Sequence, residues 1–366
     1  MQRPELLGWL RETDVRRLEE LWRRADETRR AGVGDEVHLR GLIEISNVCT
    51  RECLYCGVRA GQAKITRYRM SAEEIVDSAR LAMQYGYGTV VLQSGEDPKL
   101  TDSWVADLIR RIKTETGLAV TLSLGERTRA EWESWKAAGA DRYLLRFETS
   151  NRELFDRIHP MQRGSGAPGD RIGMLRVLRE IGYEVGSGVM IGIPGQSYED
   201  LANDLDLFAD LDLDMIGVGP YLPHPATPMG RGECPDLPAD RQAPNSELMT
   251  YKTVALTRLK RPRSNIPSTT ALATVNRESG RELGLQRGAN VIMPNLTPPQ
   301  YRRCYEIYPG KACFEEDSAA YDALIKTQIG RLGREIGRGR GDSANWRSRG
   351  MPVGASPRQD EGHGNG

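Results

Sequence analysis

Cys49, Cys53 and Cys56 stand in a C-x3-C-x2-C spacing inside residues 44–59, EISNVCTRECLYCGVR. Three thiolates on one short loop can bind three irons of a [4Fe–4S] cube, and such cubes usually take four cysteines. The fourth iron is then open to a small chelating ligand. A structural zinc site needs four ligands, normally in two pairs. No second C-x2-C follows here, and the nearest histidine, His38, lies upstream in an apparent strand. A disulfide framework is disfavoured too: six cysteines in 366 residues are sparse, and no export signal is recognisable.

Such a loop needs rigid elements on both sides. Short apolar runs rich in β-branched residues occupy 37–45, 89–93, 118–124, 141–147, 184–191, 215–220, 265–270 and 290–293. Helix-like stretches lie between them at 72–85, 103–114, 129–138, 171–181, 198–211, 245–259 and 276–283. Strand–helix alternation predicts a parallel sheet. Eight strands with connecting helices suit a (β/α)8 TIM-type barrel, an α/β fold; a doubly wound open sheet is the alternative. Polar residues follow the strands. The cysteine loop follows the first, Ser94-Gly95-Glu96 the second, Ser123 and Glu126 the third, Arg146 and Glu148 the fourth. Gly192-Ile193-Pro194-Gly195 follows the fifth, and Pro220 with His224-Pro225 the sixth. Thr269 and Thr270 end the seventh, and Met293, Pro294 and Asn295 the eighth. In a barrel these ends converge on one face, where active sites are built.

The cysteine loop, with Tyr55 before its last cysteine, resembles the signature of the radical S-adenosylmethionine (SAM) enzymes. That resemblance implies SAM on the open iron and a 5′-deoxyadenosyl radical after reductive cleavage. Ser94-Gly95-Glu96 is similar to the family's Gly-Gly-Glu turn, which receives the SAM ammonium. Arg171 suits the SAM carboxylate as a planar fork, and Glu148 suits the ribose hydroxyls or the amino group. Met215, Met293 and Pro220 would make an apolar substrate wall, and Thr121, Thr269, Thr270 and Tyr305 a set of hydroxyls. Arg146 is an anion clamp candidate. Each of these side chains alone also suits a core, capping or surface ion-pair role.

Longer segments carry a narrower resemblance: GDEVHLRGLIEISNVCTRECLYCGVR, TVVLQSGEDP, AVTLSLGE, AGADRYLLRFETSN, MIGIPGQ, DMIGVGPYLPHPATP, NIPSTTA, GANVIMPN and YPGK, across about residues 34–313. They resemble the HydE family, maturases of the [FeFe]-hydrogenase H-cluster. The resemblance implies a full barrel and SAM contacts from Tyr55, Ser94, Gly95, Glu96, Ser123, Glu148, Arg171 and Met190. It implies substrate contacts from Gln93, Thr121, Arg146, Met215, Pro220, Thr269, Thr270, Met293 and Tyr305, with Arg146 and Tyr305 as catalytic candidates. The implied substrate is an iron–cysteine carbonyl cyanide complex. The implied partners are the other hydrogenase maturases and an electron donor such as a flavodoxin or ferredoxin. Two features depart from the family. Cys313 matches one ligand of an auxiliary cluster found in some members, but 314–324 has no cysteine, so no auxiliary cluster is expected and Cys234, Cys304 and Cys313 are read as free thiols. Phe147 stands where the family often has histidine. Methylornithine synthase and biotin synthase share the branch, and a non-catalytic cluster or iron-fragment scaffold is a reading of another class.

Fifty-one basic residues balance fifty-one acidic ones, so nothing in the charge points to nucleic acid or an anionic membrane. No apolar run reaches the ~20 residues of a membrane span. Unpaired cysteines point to the cytoplasm. Residues 1–34 read as a helical extension, 35–335 as the barrel, and the Gly/Arg-rich segment 336–366 as a disordered tail.

Overall fold

The structure is a computed structural model and describes residues 1–160, 169–312 and 318–350. Two helices, α1 (Arg3–Arg11) and α2 (Val15–Val33), lead into β1 (Glu36–Ser46), α3 (Ala72–Gln84), β2 (Thr89–Ser94), α4 (Asp102–Thr116), β3 (Ala119–Ser123) and α5 (Arg129–Ala137). Next come β4 (Arg142–Leu144), α6 (Arg152–Ile158), α7 (Arg171–Ile181), β5 (Glu184–Ile191), α8 (Tyr198–Asp210), β6 (Met215–Pro220) and α9 (Glu247–Lys260). The chain ends with α10 (Thr270–Val275), α11 (Gly280–Gln286), β7 (Val291–Ile292), α12 (Pro299–Arg302), α13 (Ser318–Arg331), β8 (Glu335–Ile336) and α14 (Ala344–Ser348). Reciprocal capping boxes start three of the helices: Ser71 with Glu74, Thr128 with Glu131, and Ser197 with Asp200. Each satisfies two otherwise orphaned backbone N–H groups.

The strands form one parallel sheet in the order β6-β5-β4-β3-β2-β1-β7, with β8 also on β1. The run 265–270 is not a ladder strand. Asn265 bridges Met215 and Pro267 bridges Val291, one pair each, because Pro267 has no N–H to donate and α10 begins at Thr270. Side chains alternate across β4 and its extension. Arg142, Leu144 and Arg146 face one way. Tyr143 packs outward on Trp132 (5.7 Å) and Tyr183 (5.9 Å), and Phe147 on Phe208 of α8 (5.8 Å). The main core lies in this layer between the sheet and its helices. The helical extension is pinned over α8 and α9: Arg3 pairs with Asp206 (2.6 Å), and Lys252 Nζ donates to the Leu10 and Glu12 carbonyls.

Residues 336–350 correct the expectation of a disordered tail; 351–366 lie outside the described residues. Residues 340–343 cross the amino ends of the strands. Thr89 Oγ1 donates to the Arg340 carbonyl (2.8 Å), as does Arg142 (2.9 Å); Arg40 (2.9 Å) and Asn265 (3.0 Å) donate to that of Gly341. Asp342 pairs with the buried Arg142, and Ser343 N–H donates to Glu184 (3.0 Å). The segment holds by saturating buried polar groups rather than by apolar area, which is why its composition misleads. At Gly337 a Cβ would stand 2.2 Å from His38 Nδ1, so only glycine passes there. Asp342→Ala leaves Arg142 with Glu184 as its remaining carboxylate partner. Breaking a buried pair outright costs about 3–5 kcal/mol, so with Glu184 still in place we expect a loss of about 2 kcal/mol in urea unfolding.

Candidate active site

The cysteine loop leaves β1 at its carboxyl end and is tied down through its own backbone. Arg67 donates to the carbonyls of Asn47 (2.6 Å), Val58 (2.7 Å) and Arg59 (2.6 Å). Asn47 donates to the carbonyls of Thr66 (2.8 Å) and Cys304 (2.7 Å) and accepts from Tyr68 N–H (2.8 Å). Cys49 Sγ accepts from the N–H groups of Arg51 and Glu96, both at 3.4 Å. Burial pushes all three thiols up, Cys53 to about 12. A bound metal reverses that balance, since a coordinating thiol is deprotonated. Among the described residues no three His, Cys, Asp or Glu side chains are gathered as for a single ion. A cube spreads its thiolates over separate irons, and three cysteines on one loop with N–H donors to sulfur are a suitable donor set for it.

Gly95 lets β2 approach this loop: a Cβ there would meet the Val48 carbonyl oxygen at 2.4 Å and Cys49 Cβ at 2.7 Å. Behind it stands a charged cluster. Glu126 N–H donates to Glu96 Oε1 (3.2 Å), and Arg51 pairs with Glu126 (3.1 Å). Arg171 donates to Glu126 (2.9 Å) and to the Arg146 carbonyl (2.8 Å), and lies over Phe155. Arg171, expected as a carboxylate fork, therefore has two of its donors committed within the protein and lies off the wall of the main cavity. Residues 164–168, before α7, lie outside the described residues.

A cavity of about 290 Å³ opens at the carboxyl ends of the strands. It brings together Tyr55, Cys56, Gln93, Ser94, Arg146, Glu148, Met190, Met215, Pro220, Thr269, Thr270, Met293 and Tyr305. Cys49, Cys53, Gly95, Glu96, Thr121, Ser123 and Arg171 are not on its wall. Thr121 is buried in β3 with no partner for its hydroxyl, and Ser123 ends the same strand half-buried. Phe147 points away from the cavity into the α8 layer and takes no part in this wall.

Arg146 and Glu148 form a forked pair, Nε to Oε1 at 2.9 Å and Nη2 to Oε2 at 3.0 Å. Arg146 also donates to the carbonyls of Gly217 (2.9 Å) and Val189 (2.7 Å). Its fork is committed to holding Glu148, whose backbone is left-handed at φ 63°. That conformation is costly for a side chain with a Cβ. Tyr55 reaches His159 Nε2 at 2.9 Å, and His159 Nδ1 lies 3.1 Å from the Phe155 carbonyl. A carbonyl only accepts, so Nδ1 carries the proton and Tyr55 donates to Nε2. Burial pushes the Tyr305 hydroxyl up, and its hydrogen bond with Gln93 opposes the shift.

Sequence reasoning missed Glu44 and Lys311, a buried ion pair on the same wall. Glu44 had a signal, a carboxylate between two isoleucines inside an apolar strand. Lys311 had none. Tyr221 and Tyr308 also line the cavity and were not anticipated.

Residues 43–208 match the radical SAM superfamily. Over 321 residues the chain is 49% identical to the [FeFe] hydrogenase maturase subunit HydE of Thermotoga maritima, covering 87% of each chain. It is 29% identical to 3-methylornithine synthase of Methanosarcina acetivorans, over 86% of this chain and 83% of that one. Among solved structures, methylornithine synthase superposes with a TM-score of 0.78 at 23% identity, covering 96% of both chains. HydG, a maturase of the [FeFe]-hydrogenase, gives 0.72 at 20% identity, covering 90% of this chain and 72% of that one. At such identities the likeness concerns the fold. The identity to HydE runs far beyond the superfamily segment, and the chain belongs to the HydE family of radical SAM enzymes.

Proposed function

We propose that this enzyme acts in assembly of the diiron H-cluster of [FeFe]-hydrogenase, on a cysteine-bound iron carbonyl cyanide complex. The 49% identity to the Thermotoga maritima HydE, sustained over 87% of each chain, carries this reading. The parallel sheet is read as a (β/α)8 barrel closed through 265–267, supported by the bridges from Asn265 to Met215 and from Pro267 to Val291. Cys49, Cys53 and Cys56 hold one [4Fe–4S] cluster. Tyr55, Ser94 and Met190, on the cavity wall, are assigned to the SAM end, with Gly95, Glu96, Ser123 and Arg171 supporting it from off that wall. No auxiliary cluster is proposed, because 314–324 has no cysteine to join Cys313, which lies outside the described residues. The other maturases and a flavodoxin or ferredoxin electron donor are the proposed partners, in the cytoplasm. Among the described residues no helix is long and apolar enough to cross a membrane.

A cluster held by Cys49, Cys53 and Cys56 would supply the electron for reductive cleavage of SAM. The protein's part is placement and protection. Arg146 fixes the Glu148 carboxylate as an acceptor for the ribose hydroxyls. Tyr55, held on His159, covers the cluster side. Met190, Met215, Met293 and Pro220 keep water from the reacting centre, and Thr269, Thr270 and Tyr305 orient the substrate with hydroxyl groups.

The test is anaerobic turnover of the reduced, reconstituted protein with SAM. The iron–cysteine carbonyl cyanide complex is expected to raise 5′-deoxyadenosine formation at least tenfold, and lysine to leave it unchanged. Stimulation by lysine alone would move the chain to the methylornithine synthases.

A further inference from the structure

A second charged pair faces the cavity from β1, with β2 and β3 lying between it and β4, which carries Arg146 and Glu148. Glu44 is fully buried, and Lys311, 4% exposed, pairs with it directly. The pair is braced on both sides. Asn295 Nδ2 donates to Glu44 Oε2 (3.0 Å), and Glu44 N–H donates to Thr297 Oγ1 (2.8 Å). Lys311 Nζ donates to the Tyr305 carbonyl (3.4 Å) and lies 5.2 Å from that ring's centre.

We propose that Lys311 and Glu44 form a receptor for the α-amino acid end of the substrate, Lys311 taking its carboxylate and Glu44 its ammonium. The inference rests on the cavity being the substrate site and names the part of the substrate gripped there. Stability does not explain the pair: taking two charges out of water is expensive, and apolar residues of like volume serve a fold as well or better. This pair instead stands on the wall of the cavity at the carboxyl ends of the strands. An ammonium beside a carboxylate is the mirror arrangement of an α-aminocarboxylate, so the two dipoles dock antiparallel with both charges matched. The Arg146–Glu148 pair is closed as a fork, Nε on Oε1 and Nη2 on Oε2, and is assigned to the SAM end. Asn295, Thr297 and Tyr305 hold the receptor in place before the ligand arrives, which lowers the ordering cost of binding.

The test is calorimetric titration of the anaerobically reconstituted, SAM-loaded protein, so that the SAM amino acid site is already filled. The probes are S-methyl-L-cysteine, its N-acetyl derivative and its methyl ester. The free amino acid is expected to bind at least tenfold more tightly than either derivative. Glu44→Gln should erase the penalty for acetylation, and Lys311→Met the penalty for esterification. Each single variant strands one buried charge, so Glu44→Gln/Lys311→Met is made as well; it should bind all three probes within about threefold of one another. Iron content and melting temperature report whether each variant folds. Absence of binding or of discrimination by the wild-type protein overturns the proposal without any variant, and so does undiminished discrimination in the double variant. None of the probes contains iron. Failure to turn over the iron complex therefore overturns the H-cluster reading alone, and failure to discriminate overturns the receptor alone.

Discussion

Cys53→Ala is expected to reconstitute with almost no iron and to form no 5′-deoxyadenosine above the protein-free control. Cys53 is the middle cysteine of the loop and is buried. Two remaining thiolates cannot retain a cube that already lacks a fourth cysteine. The fold itself should survive. Losing one buried heavy atom costs about 1 kcal/mol, and the loop keeps its shape through Arg67 and Asn47 rather than through the thiols. Iron analysis and thermal melting on the same preparation separate the two effects. A variant that melts near the wild-type apoprotein and binds no iron is the expected outcome. A full iron complement in that variant would remove Cys53 from the ligand set and with it the reading of the loop.

The loop was legible because its chemistry is local: three cysteines within eight residues need no tertiary information. The strands were legible for the same reason. The runs at 184–191 and 215–220 became β5 and β6 with unchanged bounds. What escaped depends on distance or on direction. Lys311 reaches Glu44 across 267 positions, and nothing near position 311 announces it. Arg171 was correctly placed at a helix start, but which carboxylate takes its fork is settled by Glu126, on another loop. Phe147 was placed beside the site by its neighbours Arg146 and Glu148, yet strand alternation turns it outward. Residues 340–343 show the limit of composition. A glycine- and arginine-rich segment cannot build an apolar core, but its carbonyls can satisfy Arg40 and Arg142, which the strands already bury. The capping boxes of α3, α5 and α8 lie wholly within the sequence and set those helix starts to within a residue or two.

Glu148→Gly and Glu148→Gln are expected to weaken SAM binding by about 100-fold and about tenfold, with iron content unchanged. A hydrogen bond to a charged group is worth about 1.5–3 kcal/mol, and each factor of ten corresponds to about 1.4 kcal/mol. Glutamine keeps the shape and one acceptor but loses the charge. Glycine loses both. The backbone supplies the reason to use glycine rather than alanine. Glu148 sits at φ 63°, where a residue with a Cβ is strained by about 1–3 kcal/mol and glycine is at ease. Glu148→Gly therefore removes a strain while removing the carboxylate. If the residue served only to pair with Arg146, relief of that strain would offset part of the lost pair and SAM affinity would stay near its wild-type value. If the strained carboxylate is held for the ligand, affinity falls steeply in a protein whose local backbone is more relaxed. Anaerobic equilibrium binding of SAM to the iron-loaded variants distinguishes the two, because strain relief and ligand contact move the result in opposite directions.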